Sequence, residues 1–272
     1  MAAGTTGVIP LTAADLAIAA GLIGLLALLT WRTGTGQTRP LLVAAARTFV
    51  QLMLLGWVLD FIFAQERLPW TAAIMAVMLL MAGHEVRARQ HRRLRGWAGY
   101  ATGALSMAVS TFSVLLLALL VIVQPVPWYL PQYAIPLLGM LLGNSMNGVA
   151  LALDRLTENA WRQRALIEGR LMLGMRWQEA MSEVRTEALR SGLMPIINAM
   201  AAAGVVSLPG MMTGQILSGT PPLEAVKYQV LIMFLIAAAS GIGTLIAVRM
   251  ALGRLFDERE RLRLERLAAP RT

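Results

Sequence analysis

Three polar side chains interrupt an apolar run that is long enough to cross a membrane. Residues 139–156 read GMLLGNSMNGVALALDRL, which places Asn144, Ser145 and Asn147 among apolar neighbours. A polar side chain in hydrocarbon is costly unless it finds a partner, and such residues normally face a bundle interior or a wet cavity. The pattern predicts a helix that lines a route through the membrane and supplies oxygen ligands to a cargo.

The same segment carries small and polar residues at helical spacing. This stripe consists of Gly139, Gly143, Asn147, Ala150 and Asp154, with Asn144 beside it. One interpretation is a helix-packing seam joined by amide hydrogen bonds, each contributing about 0.5–2 kcal/mol. The other is the lining of a cargo pathway. We expect Asp154, near the end of the segment, to pair with Arg155 or Arg162.

A second polar group lies in the apolar segment 193–217. Pro195 and Asn198 precede a break at 208–210, Leu-Pro-Gly, where a helix cannot continue regularly. Irregular backbone at membrane depth must be surrounded by protein or water, and carbonyls at a broken helix can ligate cations. The residues expected to face the interior are Met211, Met212 and Gln215. A simple kink without a ligand role is the alternative.

Thioethers and isolated charges are further candidates. The 17 methionines are soft ligands that favour Cu(I) over Fe(II), although methionine more often fills gaps between helices. Arg47 lies about two turns inside its apolar segment and is expected to reach the membrane surface. Asp60 and Glu85 lie near segment ends, where each is either a cation way-station or a solvated boundary residue.

The composition is that of a multi-pass membrane protein. Of 272 residues, 57% are hydrophobic and 14% are charged, and the mean hydropathy is +0.62. Cysteine is absent, which excludes disulfides and thiolate sites, and both histidines, His84 and His91, fall in a basic loop. We expect an all-α bundle forming one transmembrane domain, 1–272. Its seven spans cover roughly 11–31, 41–63, 69–83, 100–123, 129–153, 193–217 and 225–249.

Positive charge alternates between the loops of this arrangement. Of the 24 Lys and Arg residues, 21 lie in 32–40, 84–99, 154–192 and the basic tail, which we place at 250–272 with Arg249 at its start. The alternate loops hold only Arg67 and Lys227. Because positive loops stay cytoplasmic, the pattern predicts an external N-terminus and a cytoplasmic C-terminus. The net charge of +9 therefore indicates topology and lipid contact, not nucleic-acid binding.

The longest predicted cytoplasmic piece, 154–192, has apolar residues spaced three and four apart with charges between them. This spacing predicts one amphipathic helix or two, broken at Gly169 or Gly174. It is either a solvated connector or a docking segment for a cytosolic subunit, with Glu168 and Gly174 as the coupling candidates. The mixed charges of 257–263 predict a surface helix on anionic lipid.

The chain contains no P-loop. That motif needs lysine after a Gly-rich run, and the only lysine, Lys227, is preceded by Pro-Pro-Leu-Glu-Ala-Val. ATP-driven transport would therefore need a partner subunit to bind ATP and Mg²⁺, and we expect no cofactor on this chain.

Two long motifs resemble a known family. Residues 138–156 and 195–244 are similar to the FetB-like permeases of ABC transporters, and the resemblance extends over essentially the whole chain. Bacterial members are described as iron-export permeases, and plant relatives are linked to aluminium tolerance. The resemblance implies a separate cytosolic ATPase and two permease chains per transporter. It also implies a multi-pass protein of the bacterial inner membrane.

The main hypothesis is a permease that exports iron or a related metal cation, with a nucleotide sugar or another small solute as the alternative cargo. The alternative of another class is a membrane scaffold or an intramembrane enzyme. An intramembrane protease needs an activated serine or paired aspartates. Ser145 has no intramembrane His or Lys partner, and Asp60 and Asp154 are predicted at opposite membrane faces.

The topology is testable because the chain has no native cysteine. A Gly4→Cys variant should react with an impermeant thiol reagent in intact cells, since the N-terminus is predicted outside. A Glu258→Cys variant, in the predicted cytoplasmic tail, should react only after lysis. Protection of Cys at position 4 in intact cells would contradict the external N-terminus.

Overall fold

The computed structural model describes residues 11–65 and 67–269. Within this part of the chain, six helices are long and apolar enough to cross a membrane. They are α1 (Ala13–Arg32), α2 (Thr38–Gln65), α3 (Leu68–Ala88), α4 (Gly96–Leu117, continued by a π-helical turn, Ala118–Val123), α5 (Pro131–Arg162) and α10 (Pro222–Leu255). Proline occupies the first turn of α3, α5 and α10, where its missing N–H costs nothing. The prediction of a polytopic helical bundle is confirmed.

The remaining helices are α6 (Arg164–Met172), α7 (Trp177–Ala180), α8 (Ser182–Ala202) and α9 (Gly210–Leu217). The apolar segment 193–217 is thus the end of α8, an irregular stretch over 203–209 and α9, not one continuous helix. The predicted break at 208–210 is present but begins earlier, after Ala202. The third apolar segment is short at 69–83, and its helix extends into His84 and Glu85, since α3 ends at Ala88.

Helix α5 is the centre of the bundle. Of its most apolar 18 residues, 56% are buried, against none in α2. It packs against α8, α10, α3 and α4, and Leu138, Leu141, Val149 and Leu156 lie fully within this core. Helices α1 and α2 form a peripheral hairpin that this chain leaves largely uncovered.

The closest helix contact joins α5 to α8 at two glycines. A methyl group built on Gly148 would lie 2.8 Å from the carbonyl oxygen of Gly192, and one on Gly192 would lie 2.7 Å from the Ala152 Cβ. Any side chain at either position would therefore displace backbone. The predicted close approach of small residues exists, but it uses Gly148. Gly143 faces open space, and a methyl on Gly139 would meet only Met78.

The basic segments meet at one end of the bundle, which we call the basic end: the α3–α4 loop (89–95), the end of α5 (154–162), α6, α7 and the tail (256–269). Leu94 of the loop and Leu267 of the tail bridge as antiparallel residues, and both are buried. Parts of three of the four segments predicted to share the cytoplasmic face, 84–99, 154–192 and the tail, therefore lie together.

The tail does not form the predicted surface helix. The chain leaves α10 at Leu255, turns back at 257–261 so that Phe256 bridges to Leu262, and then forms one 3₁₀ turn over Leu264–Arg266. The charged side chains of this segment lie in a tight turn and not along one face of a helix. Asp257 accepts hydrogen bonds from the backbone N–H groups of Arg259 and Arg261 (3.0 and 2.9 Å), which stabilises the turn.

The α5–α8 contact yields a stability prediction. Gly192→Val should lower the stability of the detergent-purified protein by about 1–3 kcal/mol or more, because overpacking forces the two backbones apart. Thermal unfolding is measured with tryptophan fluorescence as the signal. Gly143→Ala is the matched control and should leave the melting temperature unchanged or slightly higher. Equal melting curves for Gly192→Val and the wild type would contradict the packing.

Candidate functional site

The two asparagines of α5 lie on a face that this chain does not cover. Asn144 and Asn147 are exposed, whereas Ser145, Gly148 and Val149 between and beside them are buried. Asn144 donates from Nδ2 to the Met140 carbonyl oxygen (2.9 Å). At 1.5 Å per residue, both amides lie about 20 Å or more from either end of the 48 Å helix. Neither asparagine side chain is buried between helices of this chain.

Ser145 belongs to the opposite face of the helix. Its side chain is 0% exposed, and its Oγ has no hydrogen-bond partner within the described residues. It cannot line the same surface as the two asparagines. The sequence grouped the three residues because they are close along the chain, but at 100° per residue Ser145 lies about 100° from Asn144 and about 160° from Asn147 around the helix.

Asn147 is bound by an arginine that the sequence did not single out. The Arg89 Nη1 donates to Asn147 Oδ1, and the Arg89 Nε lies 4.0 Å from Glu85 Oε2. Glu85 also accepts from Arg47 Nη2 (2.6 Å). These four residues link α2, α3 and α5, and Arg89 itself caps the end of α3.

This network revises the interpretation of the isolated charges. Arg47 does not simply reach the membrane surface, because its guanidinium binds Glu85. Glu85 is neither a free cation site nor a solvated boundary residue, since two arginines surround it. Asp60 is exposed on α2, about 20 Å along the helix from Arg47.

Asp154 connects α5 to the α3–α4 loop. Its Oδ1 accepts the backbone N–H of His91 at 2.6 Å. The predicted partners contact other acids: Arg155 lies 3.9 Å from a glutamate of α8, and Arg162 lies 2.7 Å from a glutamate of α5 itself. The prediction of an Asp154 ion pair with either arginine is therefore wrong, because the loop folds over the end of α5 and supplies a nearer donor.

The candidates around the broken segment form a separate group. Helix α9 packs mainly against α10, so the structure does not bring its residues together with the asparagines of α5. Met211 packs against the core, and Asn198 is exposed on α8. The Oε1 of Gln215 is buried with no partner among the described residues.

A cavity of about 440 Å³ lies under the break, and the sequence reasoning missed one of its polar residues. Gln229 of α10 is only 8% exposed, and its Oε1 lacks a hydrogen-bond partner within the described residues. The sequence did not indicate a role for Gln229, because a single glutamine near the start of an apolar segment is typical of a residue at the membrane boundary. The cavity is lined by Met200, Leu208, Pro209, Met212, Gln229 and Met233, among others.

No group of three or more His, Asp or Glu side chains that could hold a metal occurs in residues 11–65 and 67–269. The available ligands in the bundle are amide oxygens, carbonyls and thioethers. Oxygens suit hard cations and thioethers suit soft ones. A tight, charged metal trap is not present in this part of the chain.

The two coupling candidates line one cavity at the basic end. Glu168 and Gly174 both border a space of about 760 Å³ beside α6. Helix α6 ends in a Schellman motif: Gly174 has φ +84°, and the backbone N–H groups of Gly174 and Met175 donate to the carbonyls of Leu171 and Arg170 (3.0 and 3.2 Å). The predicted break at Gly174 is confirmed.

Comparison with known proteins places this chain in a family. The model of the family described as "Uncharacterised protein family (UPF0014)" matches residues 13–256. The "UPF0014 membrane protein slr1647" of Synechocystis is 39% identical, covering 92% of this chain and 95% of that protein. The Arabidopsis thaliana "Protein ALUMINUM SENSITIVE 3" is 32% identical, covering 75% of this chain and 73% of that protein.

A third relative is the "Probable iron export permease protein FetB" of Escherichia coli, which is 26% identical and covers 93% of this chain and 95% of that protein. No solved structure matches the chain. The FetB-like resemblance read from the two long motifs is confirmed: the chain is a multi-pass membrane protein that belongs to the UPF0014 family.

Proposed function

We propose that this chain is the transmembrane permease subunit of an ABC transporter in the bacterial inner membrane, exporting iron or a related metal cation. The observation that carries the proposal is the uncovered position of Asn144 and Asn147 in the middle of the central helix. The similarity of this chain to a protein named a probable iron export permease supports both the transport role and the cargo.

The position of the amides argues against lipid contact. Burying an amide without a hydrogen bond costs several kcal/mol, about 2–7 depending on the reference environment. Asn147 Oδ1 and Asn144 Nδ2 each have one hydrogen bond. The remaining polar atoms of the two amides are satisfied if water, cargo or another protein surface meets this face of α5. A second copy of the chain, placed face to face on α5, would enclose the four amides and form a central route.

The chemistry of this face suits passage more than storage. Neutral amide oxygens bind a hard cation without the strong attraction of several carboxylates, so the ion can leave again. Conduction and export require binding that is favourable enough to enter and weak enough to release. The missing acidic cluster within the described residues is consistent with a weak transit site.

A separate cytosolic P-loop ATPase would drive the cycle. The chain has no P-loop of its own, and the α6–α7 segment stands at the basic end with Met172 and Leu173 exposed by 84% and 82%. Apolar side chains held out by an ordered turn are suited to insertion into a partner surface. We assign the docking of that ATPase to this segment, around Glu168 and Gly174.

One observation favours the alternative of a small polar solute as cargo. A groove of about 860 Å³ lies between α5 and α8 towards the basic end, and its lining includes Arg155, Ser182, Thr186, Glu187 and Arg190. Mixed charges and hydroxyls of this kind can hydrogen-bond a phosphate or a sugar. Transport of a nucleotide sugar should therefore be measured as well as transport of iron.

The first test replaces the amides of the proposed route. The Asn144→Leu, Asn147→Leu double variant keeps helix length and side-chain size but removes both oxygens, so efflux of radiolabelled Fe²⁺ should fall about tenfold or more, a loss of at least 1.4 kcal/mol. Cells carrying it should accumulate iron and become sensitive to peroxide. A labelled nucleotide sugar is assayed in parallel, and a loss confined to that solute would favour the alternative cargo.

Gln132→Leu is the matched control, because it also exchanges an exposed amide for leucine on α5 but lies at the start of the helix. It should transport normally. Normal efflux by the double variant at wild-type expression would contradict the proposed route, and loss of folding instead of transport would indicate a packing role.

The second test concerns the docking segment. Gly174→Val should impair partner binding and ATPase stimulation, because a β-branched residue is strained at φ +84° and loosens the end of α6. Gly174→Asn should be tolerated, since asparagine adopts left-handed conformations more readily. Glu168→Arg should also weaken binding, whereas Glu224→Arg, an exposed reversal at the start of α10 and outside the docking segment, should not. Unchanged stimulation by Gly174→Val and Glu168→Arg would exclude this docking site.

A further inference from the structure

The tail forms a strap across the basic end. Its first part is the 257–261 turn, in which Asp257 also pairs with Arg261 at 2.9 Å and Arg263 at 3.2 Å. The backbone N–H of Arg261, followed by its guanidinium and the N–H of Arg259, lowers the pKa of Asp257 from its ordinary value near 4 to about 2. Because this pKa is depressed, the stabilisation of the turn is complete above pH 4 and is lost only as the pH falls towards 2.

One end of the strap holds the short helix α7. The Phe256 ring stacks on Trp177 with centroids 5.3 Å apart and an interplanar angle of 23°. Glu260 Oε2 accepts the backbone N–H of Trp177 at 3.0 Å. That N–H belongs to the first turn of α7 and has no partner within the helix, so Glu260 acts as a cap supplied by a distant segment.

The other end of the strap is joined to the α3–α4 loop. The Arg95 N–H donates to the Arg266 carbonyl (2.7 Å), and the Ala268 N–H donates to the Arg93 carbonyl (2.8 Å). Leu267, 4% exposed, anchors this pairing in the core. The strap is therefore fixed at both ends, to α7 at one and to the α3–α4 loop at the other.

The cavity beside α6 is bounded by both segments. Residues of α6 and the turn that follows it form one wall, and the tail residues Arg259, Glu260, Arg261 and Leu262 form the other. Leu171, Met172 and Met175 contribute apolar surface to the first wall. The second wall also carries two exposed arginines, of which Arg261 is paired with Asp257 and Arg259 has no ion pair among the described residues.

We infer that the tail turn supplies half of the docking surface for the cytosolic ATPase, so that the partner contacts Arg259 and Arg261 together with α6. This inference rests on the proposed function. The matching partner surface would place an apolar side chain in the cavity and carboxylates opposite the arginines. Since the cavity is continuous with the α6 docking segment, a subunit bound to Glu168 and Met172 would meet the tail turn as well.

The strap would transmit movement of a bound partner to the bundle. A partner that moves the cavity walls acts through Phe256 and Glu260 on α7, and through the Arg95 and Arg93 backbone contacts on the α3–α4 loop. That loop carries the His91 contact to Asp154 of α5 and follows Arg89, which binds Asn147. The strap thus connects the docking surface to the proposed route through the α3–α4 loop.

The experiment uses the full chain in nanodiscs. Purified P-loop ATPases of the host genome are first tested one by one for hydrolysis stimulated by the wild-type chain. Binding of the stimulated subunit is then measured for Glu168→Arg, Arg259→Glu, the milder Arg259→Gln, and Arg185→Glu. The last is the control, because Arg185 is an exposed arginine of α8 outside the cavity.

Arg259→Glu should raise the Kd about five- to tenfold at low ionic strength, with a smaller increase at high salt. Arg259→Gln should give a smaller increase, and Arg185→Glu none. Weaker binding by Glu168→Arg together with unchanged binding by both Arg259 variants would overturn this inference but leave the proposed docking intact. If the wild-type chain stimulates no P-loop ATPase, the proposed function fails, and this inference fails with it.

Discussion

The backbone contact between Gly148 of α5 and Gly192 of α8 determines which face of the central helix the chain can cover. Because the two helices touch at the main chain, their side chains interdigitate on either side and bury Ser145, Val149 and Ala152. Around the helix, Asn144 lies about 40° and Asn147 about 100° from Gly148. The uncovered strip of α5 that carries the two amides therefore begins directly beside the glycine contact.

Much of the fold follows from residue types alone. The apolar segments, the broken helix near Pro209 and the turn at Gly174 were predicted because hydrophobic length, proline and glycine act locally. The partners of charged side chains were not predicted: Arg89 binds Asn147 and His91 binds Asp154 across 58 and 63 residues of sequence. The tail was mistaken for a helix because its pattern of charges does not reveal that Asp257 would cap its own backbone.

The basic end shows one set of arginines serving two purposes. Their number in alternate loops predicts the orientation of the chain, and their contacts join those loops to one another. Arg92, for example, lies 3.1 Å from Glu158 of α5, and its guanidinium stacks 4.2 Å from the Trp161 ring. Exposed ion pairs contribute little individually, so the end of the bundle depends on many such contacts together with the buried leucines beneath them.

The Arg89 contact places a condition on any cation that uses the amides of α5. In this conformation the oxygen of Asn147 already accepts from a guanidinium, and Glu85 lies between Arg89 and Arg47. A metal ion at Asn147 must therefore displace Arg89, which still has Glu85 as a nearby acceptor when it leaves. Glu85 lies in the last turn of α3, and Arg89 follows at the start of the α3–α4 loop that the tail holds. A movement of the basic end would therefore change the contact between Arg89 and Asn147.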